Sequence, residues 1–106
     1  MKVLLFNGSP HRAGCTYTAL HEVEKQLHKH GIETEIYQVG AQPVAGCIGC
    51  GKCRDGNGCV FDDGVNALAA RLDEFDALVV GSPVYYAGPS GQCTAFLDRM
   101  VYCASG

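Results

Sequence analysis

Four cysteines lie within thirteen residues of this chain, in the spacing C-x2-C-x2-C-x5-C: Cys47, Cys50, Cys53 and Cys59. Thiolates are soft ligands that select iron–sulfur clusters or zinc. Closely spaced C-x2-C-x2-C runs wrap corners of a cluster in ferredoxin-type loops. Glycines let a backbone bend tightly at low steric cost, and the same stretch contains five: Gly46, Gly49, Gly51, Gly56 and Gly58. The spacing predicts an iron–sulfur cluster and a role in electron transfer.

Two other states of these cysteines stay open. Structural zinc sites usually separate two C-x2-C pairs by about 15–20 residues, whereas here the third cysteine follows the second by only three positions. A disulfide framework belongs to secreted proteins, and the N-terminus, MKVLLFNGSP, does not resemble a signal peptide. Zinc, and unmetallated or redox-active thiols, remain the alternatives to a cluster.

The composition restricts the class of protein. A chain of 106 residues, 47% hydrophobic and 18% charged, is typical of one globular domain. It contains no apolar run near the about 20 residues that span a bilayer, and its net charge of −3 with scattered Lys and Arg disfavours nucleic-acid binding. Seven cysteines without a secretory signal predict a cytoplasmic protein.

Hydrophobic patterning predicts the order β-α-β-loop-α-β-α. Strands are expected at residues 2–6, 32–39 and 77–80, helices at 16–30 and 91–103, and a cysteine-rich loop at about 40–61. A middle helix capped by Asp62 and Asp63 would follow that loop, and the last helix would bury Phe96, Leu97, Met100 and Val101. Alternating strands and helices predict an α/β fold with a parallel sheet. In such sheets ligands bind beyond the carboxyl ends of the strands.

Two glycine-bearing loops are expected at those strand ends. Residues 7–16, NGSPHRAGCT, open onto a helix N-terminus, where free amides and the helix dipole attract anions. This loop contains neither of the glycine fingerprints of nucleoside triphosphate or dinucleotide sites, and an ordinary βα turn is the alternative. The second loop, SPVYYAGPSG, offers Tyr85 and Tyr86 as flanks for a flat ring, unless they pack as a hydrophobic corner. Together the loops favour a phosphorylated planar cofactor such as flavin mononucleotide (FMN).

Three segments, MKVLLFNGSPHRAGCTYTAL, GCIGCGKC and VVGSPVYYAGPSGQCTAFLDR, resemble the iron-sulfur flavoproteins of the flavodoxin-like NADPH-dependent FMN reductase superfamily. The resemblance implies a three-layer α/β/α fold, FMN, a 4Fe-4S cluster, NAD(P)H as a donor and a homo-oligomer. It assigns FMN phosphate binding to Ser9, His11, Gly14, Cys15 and Thr16. It assigns contact with the isoalloxazine ring to Pro83, Val84, Tyr85, Tyr86, Ala87 and Gly88, and the cluster to Cys47, Cys50, Cys53 and Cys59.

The length of the chain departs from the flavodoxin-like pattern of five strands ordered 2-1-3-4-5. Residues 1–106 supply only the first three strands, in the order 2-1-3, so we expect a part of a longer protein. Otherwise a second copy would cover the edge of the third strand. The expected function is an FMN-dependent oxidoreductase that passes electrons between NAD(P)H or another donor, FMN, the cluster and a ferredoxin- or quinone-type carrier. The alternatives are a cluster-free FMN or quinone reductase, and a non-enzymatic iron–sulfur or zinc module that assembles with a partner chain.

Overall fold

A three-stranded parallel sheet forms the centre of the fold. The computed structural model describes residues 1–55, 58–61 and 63–105, so Gly56 and Asp62 of the predictions above lie outside it. The strands are β1 (Lys2–Asn7), β2 (Glu33–Gln38) and β3 (Ala77–Gly81), in the spatial order β2-β1-β3. The α/β class and the strand order 2-1-3 are therefore confirmed.

The central strand β1 is buried on both of its faces. Its apolar residues 3–6 are at most 3% exposed, as expected for a continuous hydrophobic run in a parallel sheet covered on both sides. Leu5 lies opposite Ile36 of β2 and Val79 of β3. On the outer strand β3, Leu78 and Val80 are 44% and 43% exposed.

Successive side chains of β1 point to opposite faces of the sheet. Since both sets are buried, helices cover both faces. Helix α1 (Cys15–Lys29) contacts all three strands and buries Leu20. Helices α2 (Gly64–Ala69) and α3 (Gly91–Ser105) pack on each other and on the opposite face. The core on that face consists of Leu4, Phe6, Val65, Leu68, Cys93, Phe96 and Met100.

The helix ends follow local sequence. Gly31 has a φ of +73° immediately beyond the end of α1, a left-handed conformation that glycine adopts without steric cost. The carboxylate of Asp63 accepts a hydrogen bond from the Val65 amide, 3.2 Å away, and so caps α2. The predicted cap is confirmed at Asp63.

Helix α3 corrects one predicted contact. Val101 is 54% exposed, although the sequence predicted it to be buried. The buried stripe instead runs through Phe96, Arg99 and Met100, which are spaced i, i+3 and i+4 as one helix face requires. Val101 lies off that stripe, so its apolar side chain alone did not predict its burial.

The segment after β3 contains a small hairpin where only a loop was expected. Strands β4 (Val84–Tyr85) and β5 (Gly88–Pro89) pair antiparallel, with Tyr86 and Ala87 between them. These two residues have φ values of 49° and 62°, and positive φ at both central positions is typical of a type I′ turn. Two short 3₁₀ turns, Lys52–Asp55 and Leu72–Glu74, complete the described structure.

Candidate cofactor site

The first loop lies directly on β3 and α3. The Gly8 amide donates to the Gly81 carbonyl over 2.8 Å. A Cβ atom at Gly8 would stand 2.6 Å from the Cβ of Cys93 and 2.7 Å from its sulfur. Only glycine fits such a close approach of the backbone to a side chain of a helix, so the Gly8 backbone packs directly against α3.

Two side-chain-to-backbone turns shape this loop. The Ser9 amide donates to the side-chain oxygen of Asn7, and the His11 amide donates to the Ser9 hydroxyl, both over 3.0 Å. The Ser9 hydroxyl accepts that bond and keeps its own proton for an acceptor. The side-chain NH2 group of Asn7 is buried without a hydrogen-bond partner in the described part of the chain.

The N-terminus of α1 opens at the end of this loop. Its N-cap is Gly14, its first turn holds no acidic residue, and within the described residues no side chain caps it. The first amides of a helix have no intrahelical acceptor, and they carry the positive end of the helix dipole. These amides, Cys15 and Thr16 among them, therefore form a place suited to a phosphate.

The second loop is joined to the first through Ser90. The Ser90 hydroxyl donates to the Gly8 carbonyl over 2.5 Å and accepts from the Cys93 amide over 3.1 Å. The Ser90 amide donates to the Ser82 hydroxyl over 2.9 Å, which closes the base of the hairpin. A buried serine thus couples the two loops and the start of α3.

The predicted cofactor residues lie in these two coupled loops, at the carboxyl ends of β1 and β3. Ser9 is buried, and Gly14 and Thr16 are half-buried, whereas His11 and Cys15 are exposed. In the hairpin, Pro83 and Gly88 are half-buried, and the residues between them are exposed: Val84, Tyr85, Tyr86 and Ala87. Their assignment to FMN stays a prediction, but the main chain brings both groups to one edge.

The cysteine loop begins at the same edge, after β2, where the Val39 amide donates to the Asn7 carbonyl. The Gly49 amide donates to the sulfur of Cys47 over 3.4 Å, a kind of bond that adjusts the potential of clusters. Gly49 and Gly51 have φ values of +67° and +77°, so the backbone takes a left-handed conformation on both sides of Cys50. Such bends allow a short loop to surround a compact group.

Among the four cysteines of the motif, Cys59 has the most hydrogen bonds to the helices. Asn66 of α2 accepts from the Cys59 amide over 2.7 Å and donates to the carbonyls of Cys59 and Phe61 over 3.1 and 3.2 Å. The Arg99 Nε–H group donates to the Cys59 sulfur over 3.2 Å. Burial raises the pKa of this thiol, but hydrogen bonds from the Phe61 backbone and from Arg99 outweigh it, so the net pKa is lowered.

Arg99 also forms a bidentate ion pair with Asp63. Its two terminal nitrogens each donate to one carboxylate oxygen over 2.7 Å, and its side chain is fully buried. This pairing holds the pKa of Asp63 below its usual range, with a smaller contribution from the Val65 amide. The guanidinium also lies 5.0 Å from the centre of the Phe61 ring.

Cys103 of α3 lies beside two of the predicted ligands. Burial, followed by contacts with the thiols of Cys53 and Cys59, raises its pKa to about 11. Cys47 and Cys50 are exposed. In residues 1–55, 58–61 and 63–105, no three His, Cys, Asp or Glu side chains are arranged to hold a metal ion. The four-cysteine metal site therefore stays a prediction, supported by soft thiol donors, positive-φ glycines and N–H···S bonds.

Sequence interpretation missed Arg99, Asn66 and the position of Cys103. A signal for two of them was present, because Phe96, Arg99, Met100 and Cys103 share one helix face. A charged residue buried in an apolar stripe requires a partner of opposite charge. That partner was Asp63, which the sequence predicted only as a helix cap.

The sequence matches the family described as NADPH-dependent FMN reductase over residues 1–106. It is 34% identical to an iron-sulfur flavoprotein of Methanocaldococcus jannaschii over 99 residues, 93% of this chain and 51% of the relative. An iron-sulfur flavoprotein of Archaeoglobus fulgidus is 34% identical over 101 residues, 95% of this chain and 46% of that protein. One from Methanosarcina thermophila is 30% identical over 101 residues, 95% of this chain and 53% of the relative.

The chain thus spans about half the length of the curated relatives it matches. No helix among the described residues combines the length and apolar character needed to cross a bilayer.

Proposed function

Because the chain belongs to the NADPH-dependent FMN reductase family, we propose that it forms part of an electron-transfer flavoprotein. FMN would bind along residues 8–16 and 83–88, and the cysteine loop would bind a 4Fe-4S cluster. One observation carries the proposal: α3 contacts both regions. Cys93 lies against the Gly8 position, and Arg99 holds Cys59. These two helix positions are about 9 Å apart along the axis at 1.5 Å per residue.

The phosphate of FMN would lie at the N-terminus of α1. The uncapped first turn and the absence of an acidic side chain in it suit a dianion. The Ser9 hydroxyl and the amides of Gly14, Cys15 and Thr16 would donate to the phosphate, and the exposed His11 would add a ring N–H donor.

The flat ring of FMN would lie against the hairpin. Tyr85 is 49% exposed and Tyr86 is fully exposed, so both aromatic faces are available for stacking. The exposed main chain of residues 83–88 would supply amide donors to the ring edge.

The cluster would be held by Cys47, Cys50, Cys53 and Cys59. The relatives' names, iron-sulfur flavoproteins, support this proposal, as do the soft donors and their spacing. When bound, FMN can exchange one or two electrons and an iron–sulfur cluster one, so together they connect a hydride donor to a single-electron carrier. This chain would bind and orient both groups without a side chain acting as an acid or base.

The donor and acceptor belong to the same proposal. The family description supports NADPH, or more broadly NAD(P)H, as the donor. The acceptor would be a carrier of the ferredoxin or quinone type, and the assembled protein a cytoplasmic homo-oligomer. Neither nucleic acid nor membrane is expected as a partner, since the net charge is −3 and basic residues are scattered.

The test is a visible absorption spectrum of the anaerobically purified protein, with iron and acid-labile sulfide assayed on the same sample. Flavin bands above a broad cluster shoulder, with about four irons per chain, would support the proposal. Flavin without iron would indicate the cluster-free FMN or quinone reductase. Iron or zinc without flavin would indicate the non-enzymatic module and contradict the FMN site.

A further inference from the structure

Arg99 is the most completely bonded charged side chain in the described structure. Its side chain is fully buried, and all three of its nitrogens donate hydrogen bonds. Besides Cys59 and Asp63, it donates to the carbonyl of Ala45 over 3.1 Å and to that of Phe61 over 3.4 Å. These bonds give Arg99 more partners than packing within α3 requires.

These bonds connect the two ends of the cysteine loop. Ala45 precedes Cys47 by two residues, whereas Phe61 and Asp63 follow Cys59. One planar group therefore holds together the segment that enters the loop and the segment that leaves it. Arginine can do this because its donors form a rigid fork, whereas the single ammonium of lysine cannot reach all of these acceptors with the same geometry.

The bond to sulfur gives Arg99 a second effect. Hydrogen bonds and positive charge beside a cysteine sulfur favour the reduced, more negative state of a metal–thiolate centre. Asp63 brings a negative charge to the same guanidinium, 2.7 Å away, and so acts in the opposite direction. Loss of the Arg99 charge should therefore lower the reduction potential, and loss of the Asp63 charge should raise it.

We propose that Arg99 is a positioning residue for the metal centre of the cysteine loop: it aligns the two ends of the loop and raises the reduction potential through its bond to Cys59. This inference rests on the proposed function, since it requires that the loop binds a cluster. It concerns a residue on α3, outside the cysteine motif, that the family resemblance did not assign.

The experiment compares midpoint potentials of the cluster in the full chain, reconstituted with iron and sulfide and titrated under anaerobic conditions. We expect Arg99→Gln to move the potential to more negative values, and Arg99→Lys to move it less because the charge remains. Asp63→Asn should move it to more positive values while keeping the helix cap, since Asn is an equally good cap. The matched control is Arg71→Gln, which removes another paired guanidinium, bonded to Glu35 over 2.9 and 2.7 Å, and should leave the potential unchanged.

Iron release to a chelator provides a second measurement. Partners that orient metal ligands typically contribute about 10- to 100-fold to metal affinity, so Arg99→Gln should lose iron faster by a similar factor. If that variant does not take up a cluster, Arg99→Lys and Asp63→Asn carry the test through the opposite signs of their shifts. A general loosening of the loop would shift both in the same direction and would overturn the role in the potential.

The wild-type chain separates this inference from the proposed function. A wild-type protein that binds no iron would contradict the proposed cluster itself. A wild-type cluster whose potential and iron release match those of all Arg99 and Asp63 variants would contradict only the assignment of Arg99.

Discussion

The two loops proposed to hold FMN and the loop proposed to hold the cluster are stabilised in different ways. The first pair is held through the backbone of Gly8, which packs against the Cys93 side chain, donates to the Gly81 carbonyl and accepts from the Ser90 hydroxyl. The cysteine loop is held by side chains that reach it from helices, above all Arg99 and Asn66. The backbone of the fold thus positions the two FMN loops, whereas the position of the cysteine loop depends on a few individual side chains.

This difference predicts how each region responds to substitution. A site made of backbone amides tolerates side-chain changes, because its donors remain, but it is sensitive to steric intrusion at its glycines. A loop held by side chains loses its geometry when one partner is removed, while the sheet below it stays folded. Variants can therefore separate flavin binding from iron binding.

The largest separation is expected from Cys50→Ser. A serine oxygen is a poor ligand for a site built from soft thiolates, and the bend between Gly49 and Gly51 lies far from the strand ends in sequence. The variant should lose its iron and sulfide completely and keep its flavin absorption. Iron and sulfide assays with a flavin spectrum measure this outcome.

The control for that variant is Cys93→Ala. Cys93 is 1% exposed in the core, so its loss should leave the iron content unchanged. Full iron retention in Cys50→Ser, or equal iron loss in both variants, would contradict the assignment of the cysteine motif.

The opposite separation is expected from Gly8→Ala. The added Cβ would stand 2.6 Å from the Cβ of Cys93 and 3.1 Å from the Gly81 carbonyl oxygen, and overpacking of this kind costs about 1–3 kcal/mol. Flavin affinity should fall as the loop shifts, and the iron content should remain. Chemical unfolding and flavin titration test this, with Gly46→Ala as the control because nothing lies within 4 Å of its Cβ position. Equal free energies of unfolding for the two variants would contradict the tight packing at Gly8.

The sheet and the positions of the loops could be predicted because each depends on a repeated pattern. The apolar run of β1, the glycine after α1 and the carboxylate before α2 are local features, and the structure confirms each of them. The order β2-β1-β3 follows from right-handed crossovers between parallel strands. The positions of the loops follow from this order, because loops lie beyond the carboxyl ends of the parallel strands.

Contacts between residues distant in sequence could not be predicted in the same way. Arg99 lies 40 residues from Cys59 and 54 from Ala45, and no local period connects them. The hairpin was missed because its central residues are Tyr86 and Ala87 rather than the Asn-Gly or Asp-Gly pairs that favour type I′ turns. Side-chain partners and unfavourable turns are decided by tertiary packing.

The ion pair between Asp63 and Arg99 predicts a smaller effect, a loss of folding stability in acid. The folded pKa of Asp63 is lowered, chiefly by its hydrogen bonds to Arg99, so this group stabilises the folded state above its unfolded pKa of about 3.9. That contribution is lost as the pH falls through the folded pKa. The stability advantage of wild type over Asp63→Asn should therefore be complete near pH 7 and shrink below about pH 4.

Urea unfolding of both proteins between neutral pH and about pH 2.5 measures the effect of Asp63. Glu35→Gln is the matched control, because the pKa of Glu35 is lowered by Arg71 in a pair away from the cysteines. It should lose stability in acid without altering hydrogen exchange in the cysteine loop. A pH-independent difference between wild type and Asp63→Asn would contradict the ionic role of Asp63.

The smallest effect is expected in the hairpin, where the backbone conformation and the residue type conflict. Ala87 has a φ of 62°, and a left-handed conformation costs an ordinary residue about 1–2 kcal/mol. Ala87→Gly should therefore raise the free energy of unfolding by roughly 0.5–1 kcal/mol, after the greater freedom of glycine in the unfolded chain is subtracted. The same substitution at the exposed helical residue Ala67 should lower it by up to about 1 kcal/mol. Opposite signs for one substitution would show that the strain belongs to the hairpin backbone. If flavin affinity then falls although Ala87→Gly is more stable, the strained turn holds Tyr86 in the position that FMN requires. Equal signs at the two alanines would contradict the strain.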